Sequence, residues 1–361
     1  MKILVSGGGT GGHIYPAISI IESFNENDEI LYVGKKNSME SRLILDLGIP
    51  FKSITIEGFN RKNKIKNIVV ILKLIIGIIQ SLFIVLKFKP DVVIGTGGYV
   101  SGPVVFVGAM LNKKTFIHEQ NAFPGVTNRI LSKFVDKVFV SYTGIENKFK
   151  NDNVIFTGNP VRKKFKEIVE TLEITKNDYI TVLSFGGSGG AKFLNDLMFE
   201  VIKKLHYNKE IRIIHVTGKK YYEEFLINIE KSEIKVGDNI QIFDYLYEMP
   251  KYMMEADLVI SRAGAISISE LKYTKTPSIL IPSPNVTDNH QEFNAKMMEK
   301  DGLAKMILEK NINSDKVVKL IESAEFINDI KLKFNNYDNE NVSKIIYKEI
   351  MKEVKKWKKL F

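Results

Sequence analysis

Two short glycine turns, each carrying one hydroxyl residue, hold the clearest chemistry in this 361-residue sequence: Gly7-Gly8-Gly9-Thr10-Gly11-Gly12 and Gly186-Gly187-Ser188-Gly189-Gly190. Each follows an apolar run suited to a strand, Ile3-Leu4-Val5-Ser6 or Thr181-Val182-Leu183-Ser184-Phe185, and each precedes a helical pattern. A strand that turns through glycine into a helix start aims backbone N–H groups and the positive end of the helix dipole at one point. It also lets an anion come close to the backbone. Phosphate is the expected guest. Gly95-Thr96-Gly97-Gly98-Tyr99 adds a third turn of the same kind. One such turn is compatible with simple chain reversal, but a matched pair points to a ligand.

Two familiar phosphate binders fit poorly. Gly7, Gly9 and Gly12 satisfy the G-x-G-x-x-G fingerprint, yet the second strand ends Val33-Gly34-Lys35-Lys36 without the acid that would hold a dinucleotide's ribose. His13 and Ile14 stand where a P-loop needs Lys and Ser or Thr. A nicotinamide enzyme and a P-loop NTPase are both disfavoured.

The elements that must position these turns alternate along the chain. Short apolar strands at Glu29–Val33, Asp91–Ile94 and Lys137–Val140, then Ile211–Val216, Leu258–Ile260 and Ser278–Ile281, are separated by helical stretches. Strands apolar on both faces and joined through helices form parallel sheets. The fold class expected is therefore α/β, with two Rossmann-like domains meeting at a cleft. The joint lies near Gly158-Asn159-Pro160-Val161-Arg162, giving domains of 1–161 and 162–341, with a lysine-rich helix over 342–361 packing back on the first.

Composition narrows the setting. The sequence has no cysteine, which removes disulfides, thiolate zinc sites and a cysteine nucleophile and fits a reducing compartment. The apolar run at the N-terminus is too short for a secretory signal, so a cytoplasmic location is expected. A net charge of +10 favours anionic partners such as acidic lipid, phosphorylated substrate or nucleic acid, or is simply a basic solvated surface. Ile68 to Leu86 is apolar except for Lys73, Gln80 and Ser81, and it reaches spanning length. Strands of one sheet lie on both sides of it, which argues against a span. It is expected to lie at the interface of an anionic membrane, rimmed by Arg61, Lys62, Lys64, Lys66, Lys73, Lys87 and Lys89, with burial under another element as the alternative.

An ordered set of motifs resembles the MurG family of bacterial N-acetylglucosaminyltransferases. The set comprises Gly8-Gly9-Thr10-Gly11-Gly12-His13, Gly95 through Tyr99 with Ser101-Gly102-Pro103, and His118-Glu119-Gln120-Asn121 with Pro124-Gly125 and Asn128-Arg129. Gly186-Gly187-Ser188, Ala256 through Ala265 with Glu270, and His290-Gln291 with Asn294-Ala295 complete it. The resemblance spans nearly the whole chain. It implies a two-domain GT-B fold, UDP-GlcNAc as donor and lipid I as acceptor, at the cytoplasmic face of the membrane. It places Thr10, Gly11, Gly12, Asn121, Arg162, Ser188, Leu246, Ala265, Ile266, Ser267, Ile268, Ser269, Glu270 and Gln291 at the donor, with Glu270 on the ribose and Ser188 at the pyrophosphate. Gly189 departs from the family's usual glutamine, and Tyr245-Leu246-Tyr247-Glu248-Met249 departs from its phenylalanine-and-acid pattern.

The implied reaction is inversion at the anomeric carbon by an acceptor hydroxyl, which needs a base. His13, after the first glycine turn, is the first candidate, with an ordinary helix-start role as the alternative; imidazole suits proton transfer near neutral pH. Glu119 is the rival and His118 a candidate orienter. His290 is expected to shape the sugar pocket, and His206 and His215 to be structural. No pair of aspartates stands in D-x-D spacing, so no metal and no cofactor are expected. Helix starts, backbone amides and Arg162 would then meet the phosphate charge. A related transferase acting on diacylglycerol is the nearest alternative. A non-catalytic nucleic-acid-binding protein is disfavoured, because no aromatic stacking motif accompanies the charge.

Overall fold

The computed structural model of the chain describes residues 1–59, 66–174, 178–232, 234, 236–335 and 341–359. It divides into two compact units, Met1–Lys163 with Asn341–Phe361, and Lys164–Glu340.

The first unit runs β1 (Lys2–Ser6), α1 (Gly11–Ile21), β2 (Glu29–Lys35), α2 (Met39–Asp46), β3 (Phe51–Ile54), α3 (Lys66–Phe88) and β4 (Val92–Gly95). It continues through α4 (Ser101–Met110), β5 (Lys114–Glu119), α5 (Val126–Leu131), β6 (Lys137–Val140) and β7 (Val154–Phe156). All its strands are parallel, in the order β3-β2-β1-β4-β5-β6-β7. Every residue of β4 and β6 is buried, as expected of strands covered on both faces. The strand order reverses at β1 and β4, and the turns leaving their carboxyl ends carry Gly7–Thr10 and Thr96–Val100. Such a switch point is where open α/β sheets take their ligands.

The second unit repeats the plan. From α6 (Lys163–Thr171) the chain passes through β8 (Ile180–Phe185), α7 (Lys192–Leu205), β9 (Ile211–Val216), α8 (Tyr222–Lys231), β10 (Ile240–Phe243), α9 (Met249–Glu255) and β11 (Leu258–Ser261). Then come α10 (Ala265–Thr274), β12 (Ser278–Leu280), α11 (His290–Lys300), β13 (Lys305–Met306), α12 (Ser314–Ile321) and α13 (Ala324–Asn335). Its parallel sheet has the order β10-β9-β8-β11-β12-β13, with the reversal at β8 and β11. The likeness of the two glycine turns in sequence is thus a likeness of position in two sheets of one topology.

The final helix, α14 (Val342–Lys358), belongs to the first unit and packs on α1 and β5. Ile346, Ile350 and Val354, one turn apart on one face, join a core with Ile3, Ile14, Phe116 and Phe139. Lys137 of β6 fastens the helix through Glu349 at 2.9 Å and Glu353 at 3.2 Å.

Among the described residues, α3 is the one helix long and apolar enough to cross a membrane. It packs instead on α4 and β3, and the strands flanking it in sequence share one sheet, which excludes a span. Small residues make the contact: Val70, Gly77, Ser81 and Val85 are buried, and a Cβ on Gly77 would stand 2.9 Å from the Thr55 carbonyl. The opposite face is uncovered, with Ile68, Leu72, Ile75, Ile79, Phe83 and Leu86 exposed and Phe83 at 67%. Lys73 is bound to Glu57 at 2.5 Å, because helix and preceding loop approach closely enough for the pair to form. Lys87 and Lys89 are exposed. Arg61, Lys62 and Lys64 lie outside the described residues, as does the side chain of Lys66.

Candidate active site

In the first unit the switch-point turns are clasped by backbone. Gly8 N–H donates to the Gly97 carbonyl at 3.3 Å, and Thr96 N–H to the Ser6 carbonyl at 3.0 Å. Gly98 has φ +77°, and a Cβ there would lie 2.2 Å from the Gly8 carbonyl, so only glycine closes this crossing.

His13 stands in the first turn of α1, partly exposed, with its ring turned to the β4 and β5 turns. Nδ1 lies 3.1 Å from the Thr96 carbonyl and 3.1 Å from Gln120 Oε1. Both are acceptors, so Nδ1 carries the hydrogen, and the neutral ring takes the tautomer with its lone pair on Nε2. Gln120 is itself fixed, because its Nε2 donates to the Thr96 carbonyl at 2.9 Å and the His118 carbonyl at 3.0 Å. The buried His118 donates from Nε2 to the Gly158 carbonyl at 3.0 Å, and burial pushes its pKa down to about 4. It is a neutral structural ring.

Glu119 ends β5 and is 1% exposed. Oε1 accepts from Asn121 N–H at 3.1 Å and Asn121 Nδ2 at 3.2 Å. Oε2 accepts from Gly125 N–H at 3.0 Å and Asn128 Nδ2 at 2.8 Å. A carboxylate has about four lone-pair sites, and all four are occupied. The side chain ties down the turn that presents Asn121 and starts α5. Arg162 lies with its guanidinium 4.6 Å over the Tyr15 ring, in the same unit as Thr10, Gly11 and Gly12. Thr10 is exposed, and Gly11 and Gly12 are partly exposed.

In the second unit Ser188 sits exposed at the tip of its turn, and a Cβ added at Gly187 or Gly189 would meet nothing within 4 Å. The turn is open on its outer side. Its inner side is not, since Gly190, at φ +72°, would place a Cβ 2.1 Å from the Thr217 carbonyl. The starts of α7 and α10 have neither an acidic residue in the first turn nor a side-chain cap, which leaves the positive helix ends unscreened by carboxylate. Of the α10 residues, Ile268 and Glu270 are buried while Ile266, Ser267 and Ser269 are partly exposed; Ser269 donates to the Ala265 carbonyl at 2.8 Å. The Leu246 side chain is buried, so a ligand would meet the backbone there. Gln291, in the first turn of α11, accepts from Ser283 N–H at 2.9 Å. Beside it opens a cavity of about 570 Å³ lined in part by Phe193, Pro282, Asn289, Glu292 and Leu308. His290 bonds the Thr287 carbonyl at its helix start.

Residues 3–140 match the glycosyltransferase family 28 N-terminal domain, and residues 181–354 match the family 28 C-terminal domain. A UDP-N-acetylglucosamine--N-acetylmuramyl-(pentapeptide) pyrophosphoryl-undecaprenol N-acetylglucosamine transferase of Clostridioides difficile (strain 630) is 43% identical over 98% of this chain and 89% of its own. The chain belongs to glycosyltransferase family 28. The correspondingly named transferase of Finegoldia magna is 41% identical over 98% of this chain and 96% of its own. The solved structure of Acinetobacter baumannii MurG, at 25% identity, gives a TM-score of 0.78 over 97% of this chain and 99% of that one.

The family 28 assignment and the two parallel sheets together give the two-domain GT-B fold. Within the family 28 first domain, sequence reasoning named His13 as a candidate base and did not foresee that Thr96 and Gln120 hold its ring. The signal was present in Gly95-Thr96-Gly97, where a Cβ on Gly97 would stand 2.8 Å from His13 Nδ1.

Proposed function

We infer that this family 28 chain transfers N-acetylglucosamine from UDP-GlcNAc to the 4-hydroxyl of MurNAc in lipid I, forming lipid II for peptidoglycan synthesis. One observation carries the reading: transferases bearing this activity in their names align along nearly the whole chain, both domains included.

The residues divide the work. The second unit takes the donor, with the open Ser188 turn and the uncapped α7 start facing the pyrophosphate, Glu270 accepting from the ribose hydroxyls, and Gln291 meeting the sugar. The first unit takes the acceptor and supplies the base. The acceptor oxygen attacks the anomeric carbon from the side opposite UDP, the bond from that carbon to the phosphate oxygen breaks, and configuration inverts. His13 Nε2 receives the hydroxyl proton, its tautomer held by Thr96 and Gln120. Glu119, with every lone pair engaged, acts by shaping the 120–128 turn. Arg162 and the helix starts offset the charge growing on the departing UDP. The exposed face of α3 rests on an anionic membrane at its cytoplasmic side, where a polyprenyl acceptor is found.

The test is a donor screen with a lipid I analogue, following UDP release. UDP-GlcNAc is expected to turn over well ahead of UDP-glucose. Equal use of the two, or transfer to diacylglycerol in place of the lipid I analogue, overturns the assignment.

A further inference from the structure

We propose that Arg262 is a positioning residue that fixes Gln291, and through it sets the enzyme's preference among donor sugars. The proposal rests on the reading of Gln291 as a sugar contact.

Arg262 lies just past β11, two residues before the N-cap of α10, and its side chain is 11% exposed. Its guanidinium does three things at once. Nη1 donates to the Ile281 carbonyl at 3.0 Å, Nη2 pairs with Glu309 Oε1 at 2.6 Å, and the group lies 5.8 Å over the ring of Phe193 on α7. The Ile281 carbonyl is the critical partner. Two residues further on, Ser283 N–H donates to Gln291 Oε1 at 2.9 Å. Three residues beyond Gln291, the fully buried Asn294 donates from Nδ2 to the carbonyl of Ala263, next to Arg262. The connections close into a ring: Arg262, Ile281, Ser283, Gln291, Asn294, Ala263 and back to Arg262. Each link is a hydrogen bond or at most three residues of chain.

The ring determines what Gln291 offers. With Oε1 taken by a backbone donor, the amide presents its NH2, a pure donor, which recognises a neutral oxygen such as the acetamido carbonyl that UDP-GlcNAc carries and UDP-glucose lacks. A small rotation of the Ile281–Ser283 segment would release Oε1 and let the amide turn over. Arginine suits the post because its planar fork meets a carbonyl and a carboxylate in fixed directions while its face rests on an aromatic ring. A lysine keeps the charge but not the fork or the stacking.

The experiment compares steady-state kinetics with UDP-GlcNAc and UDP-glucose, alongside calorimetric UDP affinity, for wild type, Arg262→Lys, Glu309→Gln, Gln291→Ala and the Arg262→Lys/Gln291→Ala double variant. Arg262→Lys is expected to raise KM for UDP-GlcNAc by roughly tenfold and to narrow the GlcNAc-over-glucose preference, with UDP affinity kept within about twofold. The double variant is expected to be no worse than Gln291→Ala alone, because the two residues act as one unit. Glu309→Gln, a milder change at the far end of the guanidinium, is expected to move the preference in the same direction. It keeps the test decisive if the arginine variants do not fold. Parallel loss of UDP affinity, additive effects in the double variant, or an unchanged preference in Glu309→Gln overturns the proposal. Absence of wild-type turnover with UDP-GlcNAc overturns the donor reading itself, and this proposal with it.

Discussion

His13 and Thr96, 83 positions apart in sequence, hold each other reciprocally, each side chain bonded to the other's backbone carbonyl. Nδ1 lies 3.1 Å from the Thr96 carbonyl, and the Thr96 hydroxyl donates to the His13 carbonyl at 2.8 Å. The pair locks the start of α1 to the turn after β4 and orients a basic nitrogen away from both. His13→Ala is therefore expected to lower the transfer rate by roughly 10²–10⁴-fold with UDP affinity unchanged. Single-turnover rates and calorimetry check this, and a mild rate effect removes His13 as the base.

Glu119 is expected to behave as a structural carboxylate. Glu119→Ala removes the shared acceptor of four N–H donors, that of the buried Asn128 among them, and Glu119→Gln sets an NH2 against two of them. Either is expected to cost about 1–3 kcal/mol or more of stability, read as a lower Tm and a lower denaturation midpoint. A 100-fold rate loss at unchanged Tm would instead make Glu119 the base.

Glu270→Ala is expected to weaken UDP binding by about 1–3 kcal/mol, the range for losing a buried charged acceptor of ribose hydroxyls. Titration calorimetry decides it, and unchanged affinity takes Glu270 out of the site.

Acid is expected to destabilise the fold through two buried rings. Burial pushes His118 down to about 4 and His215, whose Nδ1 lies 2.7 Å from the Ser184 hydroxyl, down to about 3, both from an ordinary value of 6.5. The unfolded chain then binds protons before the folded one. The contribution to stability is complete above pH 6.5 and is lost as pH falls towards those lower values. At pH 5 the loss is on the order of 2 kcal/mol for each ring. Tm is expected to drop between pH 7 and pH 5, and His215→Gln to remove about half of the slope. A flat Tm over that range refutes the account.

The uncovered face of α3 is expected to bind vesicles containing anionic lipid, less strongly at high salt. Ile75, Ile79 and Phe83 are all exposed, so replacing each with Asp should change stability by less than about 0.5 kcal/mol while lowering vesicle co-sedimentation. Activity on a short-chain soluble acceptor should persist. A wild type that ignores anionic vesicles at low salt contradicts the docking.

Strands such as β4 and β6 were legible in the sequence because burial on both faces leaves unbroken apolar runs. The glycine turns were legible in part because Gly98 and Gly190 make backbone crossings that tolerate nothing larger. What the sequence concealed depends on partners far along the chain. Glu119 reads as a base until its four donors are seen, all of them backbone or amide groups of the segment it anchors. Lys73 reads as a rim charge, and its pairing with Glu57 shows only in three dimensions. Residues around α3 are apolar all round, so pattern alone did not say which face met the sheet. Gly77, pressed against Thr55, supplies the answer only in three dimensions. Arg262 stood in plain view inside a motif, and nothing local hinted at Ile281 or Glu309.

The helix α14 has a consequence for the order of synthesis. Its apolar face fills the core around Ile3 and Phe116 and rests on α1 and β5, elements translated long before it. The second unit, Lys164–Glu340, is continuous and holds within itself all the strands of its sheet. On the ribosome it can close while the first unit waits with part of its core bare. The unit begun first is thus the one completed last.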